Sequence, residues 1–145
     1  LLLEHLIFCA VESQTTETCQ THIVQPEETT IYPEISSSHA QQMLQKWLTF
    51  FNLGQTRPLP FFAKTSLAAA EAYGKKQSWE DALNKAKESY HGNKVSKGQK
   101  DYTEVALVFG NEDIEPVEGV LFQGLVEELL IPLLDAVNEE SSDAA

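Results

Sequence analysis

Basic residues are missing from both ends of this 145-residue chain. Residues 1–45 hold six acids and no Lys or Arg, and residues 101–145 hold twelve acids and no Lys or Arg. All ten basic residues fall within 46–100, against four acids. The net charge of −12 therefore hides one cationic block between two anionic ones. Affinity for phosphates rests on Lys and Arg displacing counterions. Acting alone, the chain is expected to bind nucleic acid weakly or not at all.

Long apolar runs are missing too. None reaches the roughly 18 residues a bilayer-crossing helix needs, which excludes a helical membrane span. Leu1–Ala10 has no basic leader and is interrupted by Glu4 and His5, which excludes a secretory signal. The chain opens on Leu rather than Met, inside an apolar segment, and is expected to be a piece of a longer one. Cysteine is scarce. Cys9 and Cys19 are too few for a disulfide framework at this size, and a reducing cytoplasm fits them. Cys9, among Leu6, Ile7 and Phe8, reads as a small core residue; Cys19, in a polar stretch, reads as an unbridged thiol.

Catalytic patterns are missing as well. A metal-dependent nuclease commonly places a Lys two residues after an acid that holds the ion. No basic residue here follows Asp or Glu at that spacing. Pro26-Glu27 and Pro33-Glu34 look like the first half of such a motif and, lacking the second, read as turn residues. Gly74-Lys75 and Gly92…Gly98 do not complete a phosphate-cradling loop, so no ATP site is expected. The chain has no G-x-S-x-G, no H-E-x-x-H and no paired cysteines at zinc spacing. His5, His22, His39 and His91 are scattered without ligand pairing, with His5 read as core-adjacent and His91 as a loop residue. No catalytic residue and no metal site are expected.

What is present is an ordinary globular composition, 42% apolar and 22% charged, enough for one buried core. The expectation is one domain over 1–138 and a short, acidic, disordered tail over 139–145. Leu1–Val11 is apolar on nearly every face and reads as a buried helix. Polar linker follows over Ser13–Gln20. Thr21–Gln25 and Thr29–Ile35 are β-branched runs around Pro26-Glu27-Glu28, which predicts a hairpin. Ser38 with Gln41 suggests a capping box, and Ala40, Met43, Leu44, Trp47, Leu48 and Phe51 form a helical stripe closed by Gly54. Trp47, at its centre, is expected in the core.

Pro58 and Pro60 make Arg57–Phe61 extended. Ala63–Tyr73 reads as a helix, followed by another that Ser78 and Asp81 cap and Gly92 stops. Trp79, like Trp47, lies on a helical stripe. His91–Lys100 is a basic loop, and a short helix runs from Asp101 to Phe109. Pro116 suits the first turn of a last helix reaching Val137, which Pro132 should kink. The fold class is α+β, mostly helical with a β-hairpin.

Two sets of candidate contact residues follow. Lys94, Lys97 and Lys100 lie in a stretch with no acid and are the candidate DNA contacts. In the last helix, apolar residues wrap most of the way round, more than a surface helix requires. Phe122, Leu125 and Leu130 are the candidate partner contacts there, unless this helix is the centre of the core.

Several segments taken in order resemble the C-terminal part of the RecC family, the gamma subunits of bacterial exodeoxyribonuclease V (RecBCD). They are Leu3-Glu4-His5-Leu6 with Phe8-Cys9-Ala10, the hairpin and helix to Trp47, and Pro60-Phe61-Phe62 with Ala63–Tyr73. Ser89-Tyr90-His91-Gly92-Asn93, Gly98, Asp101-Tyr102 and Leu130-Ile131-Pro132-Leu133-Leu134 continue the series. The resemblance implies the later part of a degenerate restriction-endonuclease-like domain that has lost its catalytic residues. It implies a non-catalytic scaffold that holds RecB-like and RecD-like subunits and helps guide strands from double-stranded DNA ends. Mg²⁺ and ATP would belong to those partners, leaving this chain no cofactor, no membrane contact and a cytoplasmic location. Two other readings stand beside it: a free-standing helical interaction module, and a divergent nuclease that assembles Glu27 and Glu34 with a Lys from the 46–100 block.

Overall fold

The structure, a computed structural model, describes residues 1–11, 19–27, 29–75, 78–110 and 115–138. Most of the Ser13–Gln20 linker, Glu28 of the hairpin loop and the 139–145 tail lie outside the described residues. The chain forms two compact units, Leu1–Phe50 with Pro132–Ala145, and Phe51–Ile131.

In the first unit, helix α1 (Leu2–Val11) buries His5, Leu6, Cys9 and Ala10. Residues at i, i+1, i+4 and i+5 share one face of a helix. Leu3, Ile7 and Phe8 face solvent, so α1 is a one-sided helix rather than the fully buried one its composition suggested. Strands β1 (Thr21–Val24) and β2 (Thr29–Tyr32) pair antiparallel, with Thr21 opposite Tyr32 and Ile23 opposite Thr30. These four turn inward while His22, Val24 and Ile31 turn out, the period-2 alternation of a half-covered hairpin. β2 stops short of the expected Ile35 because Pro33 has no N–H to offer a ladder.

His5 ties these elements together. Its Nε2 lies 2.8 Å from the Pro33 carbonyl, and its Nδ1 lies 2.8 Å from Thr21 Oγ1. A carbonyl only accepts, so Nε2 carries the hydrogen, and Nδ1 accepts from the threonine hydroxyl. The Tyr32 ring lies 5.5 Å away, and Cys9 Sγ lies 3.6 Å from Nε2.

Helix α2 (Ser37–Gly54) begins one residue before the expected cap. The Gln41 amide donates to the Ala10 carbonyl at 3.0 Å and to Ser37 Oγ at 3.2 Å, and the Ser37 hydroxyl donates to the same carbonyl at 3.1 Å. The last carbonyls of α1 have no partner within their own helix. Ser37 and Gln41 thus serve the end of α1, not the box predicted from Ser38. Ala40 and Met43 of α2 join Leu6, Cys9, Cys19, Ile35, Leu133 and Val137 in the core, with Leu44 and Trp47 packed at its margin. Cys19 is buried there despite its polar neighbours in sequence. Leu48 and Phe51 are exposed, so the apolar stripe of α2 is narrower than the sequence pattern implied and Trp47 is an edge residue of the core.

In the second unit, α3 (Ala63–Gly74) and α4 (Trp79–His91) pack as a pair. Ala69, Ala70, Ala82 and Ala86 are buried, and their short side chains permit a close approach. Ser78 and Asp81 form the predicted capping box: Asp81 N–H donates to Ser78 Oγ at 3.2 Å and Ser78 N–H donates to Asp81 Oδ2 at 3.3 Å. Helix α5 spans Thr103–Phe109. Pro116 opens only a 3₁₀ turn, Pro116–Glu118. After it come α6 (Val120–Leu125) and a π-helical turn (Val126–Leu130), and the chain continues into α7 (Ile131–Asn138), which from Pro132 onward belongs to the first unit. Pro132 cannot donate to the Glu128 carbonyl, and its ring crowds that oxygen. The widened turn immediately before it accommodates both effects, where the sequence alone predicted a simple kink.

Burial lowers the His5 pKa from its ordinary 6.5, because it removes the imidazolium from water, although the bond to Pro33 opposes the shift. Unfolding therefore takes up a proton below that value. The stability this group contributes is complete above about pH 6.5 and declines as pH falls below it. Urea melts at several pH values should show this slope, and His5→Phe should flatten it while costing about 1–3 kcal/mol at neutral pH. A variant that keeps the full slope would place the titration elsewhere.

Candidate functional site

The three lysines named from the sequence sit on a loop that the backbone holds firmly. Helix α4 ends at Gly92, whose φ of +71° turns the chain back. Gly92 and Lys97 then pair as an antiparallel bridge. Between them Asn93 N–H donates to the Ser96 carbonyl at 2.8 Å, and Asn93 Oδ1 accepts from Val95 N–H at 2.9 Å and Ser96 N–H at 2.8 Å. Gly98 lies so close to the Tyr90 and His91 backbone that a Cβ would collide with it. Gln99 Oε1 accepts from Thr65 N–H at 2.8 Å. That donor belongs to the first turn of α3 and has no partner in its own helix, so Gln99 ties the loop to α3 and completes the helix end.

The three lysines are all exposed, and their surroundings differ. Lys94 stands at the tip beside Val95, which is 97% exposed. The Lys97 ammonium lies 5.0 Å from the centre of the Tyr102 ring, in the range of a cation–π contact. Lys100 Nζ lies 2.8 Å from His91 Nδ1, while His91 Nε2 lies 2.9 Å from Glu115 Oε2. An ammonium only donates, so Nδ1 accepts and Nε2–H donates to the carboxylate. Lys100, His91 and Glu115 thus form one chain of hydrogen bonds. One turn earlier on α4, Lys87 pairs with Glu118. The two contacts together fasten the 115–118 segment along α4. The sequence reading of His91 as a simple loop residue missed this, because its partner lies 24 positions downstream with no periodic signal to connect them.

The other candidates are placed differently. Phe122, Leu125 and Leu130 are buried. Their burial fits the alternative reading of this stretch as part of the interior. With Val126 and Leu129 they make one buried stripe through α6 and the π turn. Glu27 lies in the hairpin turn and Glu34 just beyond β2, both exposed. Among the described residues, no three His, Cys, Asp or Glu side chains gather as metal ligands. His22 and His39 are exposed, whereas His5 and His91 are each committed to the bonds described above. No described helix is long and apolar enough to cross a membrane.

Comparison with family models matches residues 1–74 to the RecC C-terminal domain, which covers just over half of the chain. The chain belongs to the RecC C-terminal domain family. The match takes in α1, the hairpin, α2 and α3 and ends at Gly74, so the lysine loop and the last helices lie beyond it. Membership in the RecC C-terminal domain family implies the role of a RecBCD subunit in DNA repair. A search of curated proteins finds no match to this chain.

The close approach at Gly98 makes the loop testable by one methyl group. Gly98→Ala should lower stability by about 2–3 kcal/mol, because the new Cβ and the His91 backbone compete for one space. Thermal melts, with amide exchange at Val95 and Ser96, would read it. Unchanged melting and exchange would mean that the loop is not held in this way.

Proposed function

We propose that the chain is a non-catalytic scaffold portion of a RecBCD-type helicase–nuclease, holding RecB-like and RecD-like subunits and helping to guide strands from duplex ends. The family match carries this reading. The placement of the two acids supports it: Glu27 and Glu34 are exposed, and neither is bonded to a basic residue among the described residues. An ion-holding nuclease site needs converging carboxylates and a water-orienting cation. The fold would be the later part of a degenerate restriction-endonuclease-like domain. ATP hydrolysis and Mg²⁺-dependent cleavage would then belong to the partner subunits, in the cytoplasm.

Within this reading Lys94, Lys97 and Lys100 supply the contact to DNA phosphates. They are exposed on a fixed loop, whereas no Lys or Arg follows residue 100. Lys94 stands at the tip, whereas Lys97 lies over the Tyr102 ring and Lys100 bonds His91.

Two measurements test the proposal. The purified chain should leave linear duplex intact in Mg²⁺ or Mn²⁺; degradation abolished by Glu27→Ala or Glu34→Ala would establish a nuclease instead. In the assembled complex, replacing all three lysines with Ala should weaken binding to duplex ends and reduce the slope of log affinity against log salt by up to about 3. Identical slopes would remove the loop from the DNA path.

A further inference from the structure

Lys100 lies in a 3₁₀ turn, Gln99–Asp101, at the end of the lysine loop, and its ammonium is turned back onto the protein. It donates to His91 Nδ1 at 2.8 Å, while His91 Nε2–H donates to Glu115 Oε2 at 2.9 Å. Neither Lys100 nor Lys97 forms an ion pair with an acid among the described residues. Lys100 is therefore a full positive charge resting on an uncharged acceptor. That acceptor lasts only as long as the imidazole is neutral. A protonated ring carries a hydrogen on both nitrogens, so Nδ1 becomes a donor facing an ammonium that also only donates. The Glu115 side gains instead, because a carboxylate attracts the imidazolium. One proton thus releases Lys100 and tightens the bond to Glu115.

The surroundings of His91 permit this exchange. Its side chain is 36% exposed and that of Glu115 40%, so a proton reaches the ring directly from water. In the 3₁₀ turn the charged groups are Lys100 and Asp101, which with Glu115 line a hollow of about 240 Å³. Helix α5 adds Val105, Ala106 and Phe109 to that hollow, none of them charged. In the 115–118 segment Glu118 is matched by Lys87 of α4. On α4 itself Glu88 pairs with Lys85, and the Tyr90 ring stands edge-on to the imidazole at 5.7 Å. Helix α3, tied to this end of α4 by Thr65 and Ser89, carries exposed Lys64 in its first turn. Among the described residues, Glu115 is the one carboxylate bonded to the ring.

We propose that His91 is a proton-dependent positioning residue for the phosphate contact of Lys100. When a DNA phosphate takes the Lys100 ammonium, Nδ1 loses its donor. The ring then binds one proton from water and stays fixed to Glu115 as an ion pair. Phosphate binding and protonation favour the same state, so each strengthens the other by the same factor. Binding at this loop takes up a proton and grows stronger as pH falls. The backbone phosphate is the group recognised, so the effect does not depend on base sequence. This rests on the reading of the loop as a DNA contact and adds the regulation of that contact.

The test uses the assembled complex and a blunt linear duplex, with end binding measured between about pH 8 and about pH 6, where histidine side chains ordinarily titrate. Wild-type affinity should rise as pH falls, by up to about tenfold per pH unit beyond the rise seen for His91→Gln, the limit for one proton. Calorimetry in two buffers of different ionisation enthalpy should show more proton uptake on binding for the wild type than for His91→Gln. Lys100→Ala should weaken binding and remove the same pH-dependent part, and the double variant should lose no more of it. A merely structural role for His91 would leave the pH profile of Lys100→Ala like that of the wild type. Equal pH profiles and equal proton uptake in wild type and His91→Gln would overturn the coupling, while weaker binding by Lys100→Ala would keep the loop as a DNA contact. If His91→Gln does not assemble, the Lys100→Ala profile decides alone, and a pH dependence equal to that of the wild type overturns the coupling. Affinity unchanged by Lys100→Ala at every pH would overturn both the coupling and the contact of Lys100 with DNA.

Discussion

An imidazole with both nitrogens engaged holds the first unit together. His5 lies on one helix, and its bonds reach Thr21 at the start of the hairpin and Pro33 just past its end. Two strands of four residues are marginal on their own. Fixed at both ends to a helix face, they gain the third surface that a lone hairpin lacks. Tyr32, Ile35 and Cys19 then close over Leu6 and Cys9. The neutral ring donates from Nε2 and accepts at Nδ1, so the electrostatics and the topology of this unit meet in the same side chain.

Proline shapes the chain twice through what it lacks. Pro33 ends a strand, and its freed role is to present a carbonyl to His5. Pro132 removes a donor from the last helix, and the preceding five residues widen into a π turn that buries Val126, Leu129 and Leu130. In both places a missing N–H is met by a rearrangement next to it, not by a break in the fold.

Much of this was legible in the sequence, and the failures share a cause. The hairpin, the capping box at Ser78, the stop at Gly92 and the short α5 are local, each written within a few neighbouring residues. What the sequence concealed depends on which face meets another element. Composition made α1 buried all round, yet Ile7 and Phe8 face solvent. Periodicity placed Leu48 and Phe51 in a core that ends at Trp47. Gln41 was read as capping its own helix, but it serves the carbonyl of Ala10, 31 residues earlier. The lysine loop was legible as charge, while its rigidity, from Asn93, Gly98 and Gln99, was not.

Both cysteines lie in the first unit, and both are buried. A thiol reagent reaches a buried sulfur only when its surroundings open. Cys9 packs beside His5, and Cys19 holds the approach to β1. Alkylation rate is therefore a clock for the opening of that unit alone, silent to anything that happens between Phe51 and Ile131. Each unit also carries a single tryptophan, Trp47 in the first and Trp79 in the second. The chain thus contains, without any engineered label, a chemical reporter for one half and an optical reporter for each.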